Sequence, residues 1–329
     1  MKKWLSAVLA AALVVTGLVG CGSKQAESEP ASAQQTEAGT EEKSSEGYRF
    51  AFSVKNRTNP FFINMIEGME AACEEAGATL NVQAAESEKD IDKQIQTIQA
   101  FMSQDYDAIF ITPLSAVAVV PVIKECNDAG IPVILIDTRA DGEEMEKVGA
   151  KMDYFVTGDN KNAGELAAQA MAEVLNGEGE IAVLESTAGS SAGIAVLEGM
   201  HEVLEGTQIQ IVASQAADNN RNKGYEVAQS ILAANPNIKG ILACNDEMGL
   251  GAINAMKDAG FDGIPVVGIN NAPDAQTALK DGSMYATVDK CSDAQGATAV
   301  KRAVELLEGK EIPAEEILQC TIVKKEDLK

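Results

Sequence analysis

The chain has 329 residues, with 50 acidic against 26 basic side chains, a net charge of −24 and a single histidine. That balance excludes nucleic acid and an anionic membrane surface as partners held by charge. The six cysteines show no CxxC spacing, which argues against a zinc or dithiol redox motif.

In chain order, Met1-Lys2-Lys3 precedes an uncharged apolar stretch over residues 4–19. This is shorter than the ~20 apolar residues of a spanning helix. It ends in Leu18-Val19-Gly20-Cys21. A positive start, an apolar centre and a small-residue end form a secretory signal. The tetrad resembles the bacterial lipobox, which implies cleavage after residue 20 and a lipid on the Cys21 sulfur. The competing reading is an uncleaved membrane helix with an incidental cysteine. Cleavage would remove Lys2 and Lys3 and leave the mature chain at −26. Residues 21–47 are polar and acidic, without an aromatic side chain, and cannot bury enough surface to fold; they are expected to form an extended tether.

From Tyr48 the sequence alternates strands and helices. Residues 50–54 read as a strand. Asn59-Pro60 supplies a helix cap and a proline suited to the first turn. Phe62, Met65, Ile66, Met69, Cys73 and Ala76 then recur at helical spacing until Gly77. Strands are predicted at 79–83, 108–111 and 133–136, with helices at 91–102 and 115–129. The rhythm restarts with strands at 181–184, 209–212, 241–243, 266–269 and 285–288. Helices alternate with them near 160–175, 192–205, 221–234, 247–259 and 294–307. Uninterrupted apolar strands between amphipathic helices mean parallel sheets covered on both faces. The fold class is α/β, with two doubly wound, Rossmann-like lobes. Ligands of such sheets bind beyond the carboxyl ends of the strands, and here also between lobes.

Phosphate-loop and dinucleotide motifs are missing. There is no GxxxxGK[ST] loop and no GxGxxG after the first strand. His201 sits on a predicted helix among Met200, Val203 and Leu204, as a solvated or half-buried side chain. No cofactor, metal or catalytic residue is assigned. Strand ends instead carry Lys55, Asn59, Phe61 and Phe62; Asp137, Thr138 and Arg139; Asn219 and Arg221; Asn245; Asn270; and Lys290. Carboxylates and amides bind hydroxyls, cations donate to oxygens, and a phenyl face covers the C–H side of a sugar. The same residue types also serve as ordinary turn residues at strand ends.

Asn59-Pro60-Phe61-Phe62, Leu135-Ile136-Asp137, Thr157-Gly158-Asp159-Asn160, Ala213-Ser214-Gln215-Ala216-Ala217-Asp218, Cys244-Asn245-Asp246-Glu247-Met248 and Val266-Val267-Gly268-Ile269 together resemble the ribose/allose-type periplasmic sugar-binding proteins. The likeness runs from about Tyr48 to the C-terminus. Lys55 and Thr112-Pro113-Leu114-Ser115-Ala116-Val117 resemble the allose-type branch. The resemblance implies a periplasmic binding protein type I fold that closes like a hinge, with three crossovers near Gly158, Lys290 and Gln319. One lobe would comprise 48–158 with 291–319, the other 159–290 with 320–329. Phe61 and Phe62 would face a sugar, Asn59 and Lys55 bond hydroxyls, Asp137 take a pair of them, and Asn245 reach in from the second lobe.

The sequence departs from that pattern at several points. No arginine occurs in 192–197, Asn219-Asn220 replaces an aromatic, Asn270 replaces an aspartate, Lys290 replaces a glutamine, and the basic residue after Asp137 is shifted to Arg139. The expected ligand is therefore something other than ribose: a hexose, cyclitol or polyol, with the Lys55 and Lys290 pair also permitting a sugar acid. The implied partner is an ABC transporter permease, with the protein a monomer on the outside of the cell membrane. A sensor presenting the sugar to a signalling receptor is the second reading. A carbohydrate enzyme pairing Asp137 with Asp246 or Asp289 is the third. Five cysteines besides Cys21 leave at least one unpaired; buried thiols are expected, and a Cys291–Cys320 bridge is open.

Overall fold

The computed structural model describes residues 47–85 and 87–328. The expected signal segment, Cys21 and all of the expected tether except Gly47 lie outside the described residues.

The first run of elements is β1 (Arg49–Val54), α1 (Pro60–Ala76), β2 (Thr79–Ala84), α2 (Ile91–Met102), β3 (Ala108–Ile111), α3 (Val120–Asp128), β4 (Val133–Ile136), α4 (Gly142–Val148) and β5 (Tyr154–Gly158). The second is α5 (Asn160–Val174), β6 (Glu178–Glu185), α6 (Ser191–Glu205), β7 (Gln208–Ala216), α7 (Arg221–Ala234), β8 (Gly240–Ala243), α8 (Asp246–Ala259), β9 (Val266–Ile269), α9 (Pro273–Asp281) and β10 (Ala286–Asp289). α10 (Ser292–Leu307), β11 (Glu315–Leu318) and β12 (Thr321–Lys324) close the chain.

Two six-stranded sheets result, ordered β11-β5-β4-β3-β1-β2 and β12-β10-β9-β8-β6-β7. Every recorded strand pair is parallel except β10 with β12. The order of the five leading strands is the same in both sheets and is the doubly wound order 2-1-3-4-5. It reverses between β1 and β3 and between β6 and β8, where a crevice opens beyond the strand ends. The chain passes from one sheet to the other after β5, after β10 and between β11 and β12.

β1 shows why the elements form. Phe50, Phe52 and Val54 alternate onto one buried face with α1, while Ala51 joins the cluster of α2 and α3 on the other. Helices approach closely where glycines leave room. A Cβ on Gly68 or Gly296 would stand 2.1 or 2.2 Å from a carbonyl oxygen across the α1/α10 crossing. Gly164 and Gly199 do the same at 2.0 Å for α5/α6. These crossings set where the amino ends of α1, α5 and α6 point.

The sequence expectation differs from the structure in places. The helix expected from residue 115 begins at Val120, because Pro121 lacks an N–H and is tolerated only in the first turn. In α2 the buried positions are Gln94, Ile98 and Phe101 rather than an all-aliphatic stripe. Gln94 is buried because its Nε2 donates to Thr112 O at 3.0 Å and its Oε1 accepts from Leu114 N at 2.8 Å, which pins the loop after β3. The five cysteines among the described residues are free thiols, and burial pushes Cys244 and Cys320 up to about 12. His201 is exposed.

Candidate ligand-binding site

Residues just beyond the strand ends of both sheets converge on one cleft. From the first lobe, Lys55 follows β1, and its N–H donates to Thr112 Oγ1 at 2.9 Å. Asn59 caps α1, its Oδ1 accepting from Phe61 N at 3.0 Å. That cap places Phe61 and Phe62 in the first helical turn, both 4% exposed, with rings edge to face at 5.2 Å. Asp137 follows β4 with φ +63°, a left-handed conformation that aspartate tolerates better than most residues. Its N–H donates to Val156 O at 2.8 Å.

The carboxylate of Asp137 organises the cleft floor. Lys290, just after β10, donates from Nζ to Oδ1 at 2.8 Å. Lys55 Nζ lies 3.7 Å from Oδ2 and donates to Thr138 Oγ1 at 2.6 Å, while the Thr138 hydroxyl donates to Oδ2 at 3.0 Å. Lys290 Nζ also stands 4.7 Å from the Phe61 ring centroid, and Lys55 Nζ 5.9 Å from that of Phe62. Burial alone would push the Asp137 carboxyl up. The charges of Lys290 and Lys55, with hydrogen bonds from Lys290 and Thr138, outweigh it and hold the group below the ordinary carboxylate range.

The second lobe contributes hydroxyls and amides. Ser190 caps α6 and Asn245 caps α8, its Oδ1 accepting from Met248 N at 2.9 Å. Ser186 donates to Asn219 Oδ1 at 2.6 Å, and Asn245 Nδ2 donates to Asn219 O at 3.3 Å. Asn270 follows β9 with φ +117°, and its N–H donates to Val288 O at 2.7 Å. Asn160, in the first turn of α5, donates from Nδ2 to Thr157 Oγ1 and Asp137 O, while its Oδ1 is buried without a partner. The lobes touch directly at the rim. Glu88 Oε2 accepts from Asn219 Nδ2 at 2.9 Å and from Thr187 Oγ1 at 3.1 Å, and Lys89 pairs with Asp218 at 2.8 Å.

In this closed arrangement the cleft encloses about 40 Å³, with Lys290 spanning its floor. That is room for about three waters. A larger surface groove of about 650 Å³ lies among Phe261, Pro265 and Tyr285, at the amino ends of β9 and β10. It takes residues from one lobe only and stands away from the strand carboxyl ends, where doubly wound sheets bind ligands.

Of the sequence-predicted residues, Lys55, Asn59, Phe61, Phe62, Asp137, Asn219, Asn245, Asn270 and Lys290 line the cleft together. Thr138 is buried one layer behind, between Lys55 and Asp137. Two cations are drawn elsewhere. The Arg139 guanidinium lies 4.1 Å from the Phe155 ring centroid and bonds Glu315. Arg221 bonds Glu247 twice and pairs with Asp274. Neither Asp246 nor Asp289, the acids offered as partners of Asp137, is among the residues lining the cleft. Asp246 is buried beneath Thr287 and the Ala272 N–H, and Asp289 bonds Asn271 and the Cys291 N–H. Sequence reasoning missed Glu88, Asn160, Ser186 and Ser190. Asn160 stood inside a quoted motif, and Ser190 is readable as a helix cap; Glu88 carried no local signal.

Residues 50–311 match the family described as the periplasmic binding protein domain. The chain belongs to this family. The periplasmic binding protein is 34% identical over 278 residues to the D-allose-binding periplasmic protein of Escherichia coli K12, covering 83% of this chain and 89% of that one. It is 30% identical to the ribose import binding protein RbsB of Bacillus subtilis 168, covering 95% of each. Among solved structures it resembles an ABC transporter periplasmic solute-binding protein from Actinobacillus succinogenes 130z with bound D-allose. That match has a TM-score of 0.81 and 33% identity, and covers 85% of this chain and 98% of that one. An ABC transporter solute-binding protein from Bacillus halodurans C-125 with bound myo-inositol gives a TM-score of 0.79 at 28% identity, covering 87% and 98%. Its two α/β lobes are those of a periplasmic binding protein type I fold.

Proposed function

We propose that this protein captures one small polyhydroxylated ligand between its lobes and delivers it to an ABC transporter permease from outside the cell membrane. The observation that carries the reading is the convergence, beyond the carboxyl ends of the strands of both sheets, of a buried carboxylate–ammonium cluster, two phenyl rings and a set of amides. Amides and carboxylate suit hydroxyls, and the rings suit the C–H face of a sugar. The relatives bearing allose and ribose names support the same class, as does the neighbour holding myo-inositol. Sugars, cyclitols and polyols share this chemistry of dense hydroxyls on an apolar frame.

The reading includes export as a monomer and a lipid anchor on Cys21, drawn from Leu18-Val19-Gly20-Cys21 and the preceding apolar stretch. Among the described residues no helix is long and apolar enough to cross a membrane. Cys21→Ala is expected to move the protein from the membrane fraction to the soluble extracytoplasmic fraction; retention at the membrane would count against the anchor.

A thermal-shift screen against monosaccharides, cyclitols, alditols and sugar acids tests the binding reading. A true ligand at 100 times its Kd adds about 2.7 kcal/mol of stability. For a chain of this size that is a shift of about 5 °C or more. Absence of any shift across the four classes would sink the reading. Turnover of the ligand during incubation would instead favour an enzyme.

A further inference from the structure

The cleft holds two lysines and two carboxylates, but they are unevenly placed, and the arrangement at its floor specifies the ligand further. Lys55, Lys290 and Asp137 have side chains no more than 7% exposed. The ion pairs of both lysines go to the same Asp137 carboxylate, on opposite oxygens. The other groups recorded around the ammoniums are neutral: the Thr138 hydroxyl and the rings of Phe61 and Phe62. Glu88, the second carboxylate of the cleft, forms no ion pair with either lysine among the described residues. Its oxygens accept from Asn56, Thr187 and Asn219 at the rim. The floor of the cleft therefore carries two positive charges against one negative.

A buried ammonium without a full counter-charge is costly once water is excluded. The amino ends of α1, α5, α6 and α8 border the same space, at Phe61, Asn160, Ala192 and Asn245. Their aligned dipoles add positive potential to that of the lysines. One further negative charge on the ligand would complete an alternating square with Lys55, Asp137 and Lys290. A carboxylate supplies one charge, whereas a phosphate would bring about −1.5 to −2 and overshoot. The rest of the ligand must still be a polyol. The buried Asn160 Oδ1 lacks a donor, and the Asn59 side chain, with Oδ1 committed to its cap, offers only Nδ2 to the cleft.

We infer that the ligand is a monosaccharide-sized sugar acid, an aldonate or uronate whose carboxylate is held between Lys55 and Lys290. The inference rests on the proposed function and narrows its ligand class. To enter, the carboxylate takes one Lys290 N–H and draws that side chain off the cleft floor, so the small closed cavity widens as the ligand seats.

Titration calorimetry on the purified protein at neutral pH tests this with matched pairs: D-galacturonate against D-galactose, D-glucuronate against D-glucose, and D-gluconate against D-glucitol. D-allose, D-ribose and myo-inositol complete the neutral arm. At least one acid is expected to bind about a hundredfold more tightly than its neutral partner, and Lys290→Gln to weaken that acid about thirtyfold, by a larger factor than its neutral partner. Should Lys290→Gln fail to fold, Lys55→Gln carries the same expectation. Tight binding of a neutral sugar or polyol with no binding of its acid would overturn the inference and leave the proposed function standing. An acid whose affinity is unchanged in both variants would overturn the assigned position of the carboxylate. Silence in both arms would overturn the inference together with the reading beneath it.

Discussion

Strand for strand the two lobes are built alike, yet the walls they present to the cleft differ. β4 and β9 occupy the same place in their sheets, and each is followed by a residue with positive φ whose N–H donates to the next strand: Asp137 to Val156 O, Asn270 to Val288 O. β1 and β6 are likewise equivalent, followed by Lys55 and Ser186. The same backbone device thus carries Lys55, Asp137 and the phenyl rings on one side and mostly hydroxyls and amides on the other, with Lys290 reaching the Asp137 carboxylate from β10 of the second sheet. The first wall fixes orientation through charge and apolar contact. The second closes on the ligand with adaptable hydrogen bonds. A shared topology sets where a side chain meets the cleft, and the residue at that place sets what it can hold.

The largest expected effect comes from breaking the charged wall. Asp137→Ala leaves two buried ammoniums without their carboxylate and should cost about 3–5 kcal/mol of stability. Denaturant unfolding measures this, and a loss under about 1 kcal/mol would show that the cluster is solvated. Because Lys290 and Lys55 hold the Asp137 carboxyl low, its contribution is complete above the ordinary carboxylate pKa. It is lost only as pH falls through the depressed folded value.

The second lobe contains the opposite case. Burial pushes the Asp246 carboxyl up from 3.8 to about 7, against hydrogen bonds from Thr287 and Ala272 and with some help from Glu247 and Asp289. The folded state then binds more protons than the unfolded chain between about pH 4 and 7, so stability falls as pH rises through that window and levels off above it. Asp246→Asn removes the charge; its Oδ1 can still accept from the Ala272 N–H, and its Nδ2 donates to Thr287 Oγ1 in place of the bond accepted there. It should flatten that slope and stabilise the protein above pH 7 by a few kcal/mol. A thermal-melt series over pH reads both changes, and parallel slopes in the two proteins would refute the assignment.

Smaller effects sharpen the contrast. Asn245→Ala removes a cap and a cleft amide together, at about 1 kcal/mol of stability, and should also weaken ligand binding. Glu88→Gln keeps the rim bridge with one fewer charge. It should shift stability by under about 1 kcal/mol, with its main effect on how readily the lobes close, read by small-angle scattering without ligand.

Much of the fold was legible because its signals are local. Val133–Ile136, Ile241–Ala243 and Val266–Ile269 are short continuous apolar runs, and only a strand covered on both faces needs that composition. Of the elements left unread, α4, α9, β11 and β12 are half-exposed and lie where burial is partial, whereas β5 is buried along its whole length. In the site, the Asn59–Phe62 cap and Asp137 were readable from their immediate neighbours. Arg139 and Arg221 looked equivalent to Lys55 at the same kind of strand end. Phe155 with Glu315, and Glu247 with Asp274, capture them instead, and most of those partners lie far away in sequence. Glu88 meets Asn219 across 131 residues.

The sequence by itself determined the fold class, the positions of the main strands and helices, and the family, because hydrophobic period, caps and short motifs act over a few residues. Tertiary structure decided which cations face the cleft, that Asp137 is shared by two lysines, and that Asn160 keeps an unpartnered oxygen beside it. Electrostatic balance in a buried site depends on every charge within a few ångströms. Those charges were brought together from β1, β4 and β10 only when both sheets and their crossovers had formed.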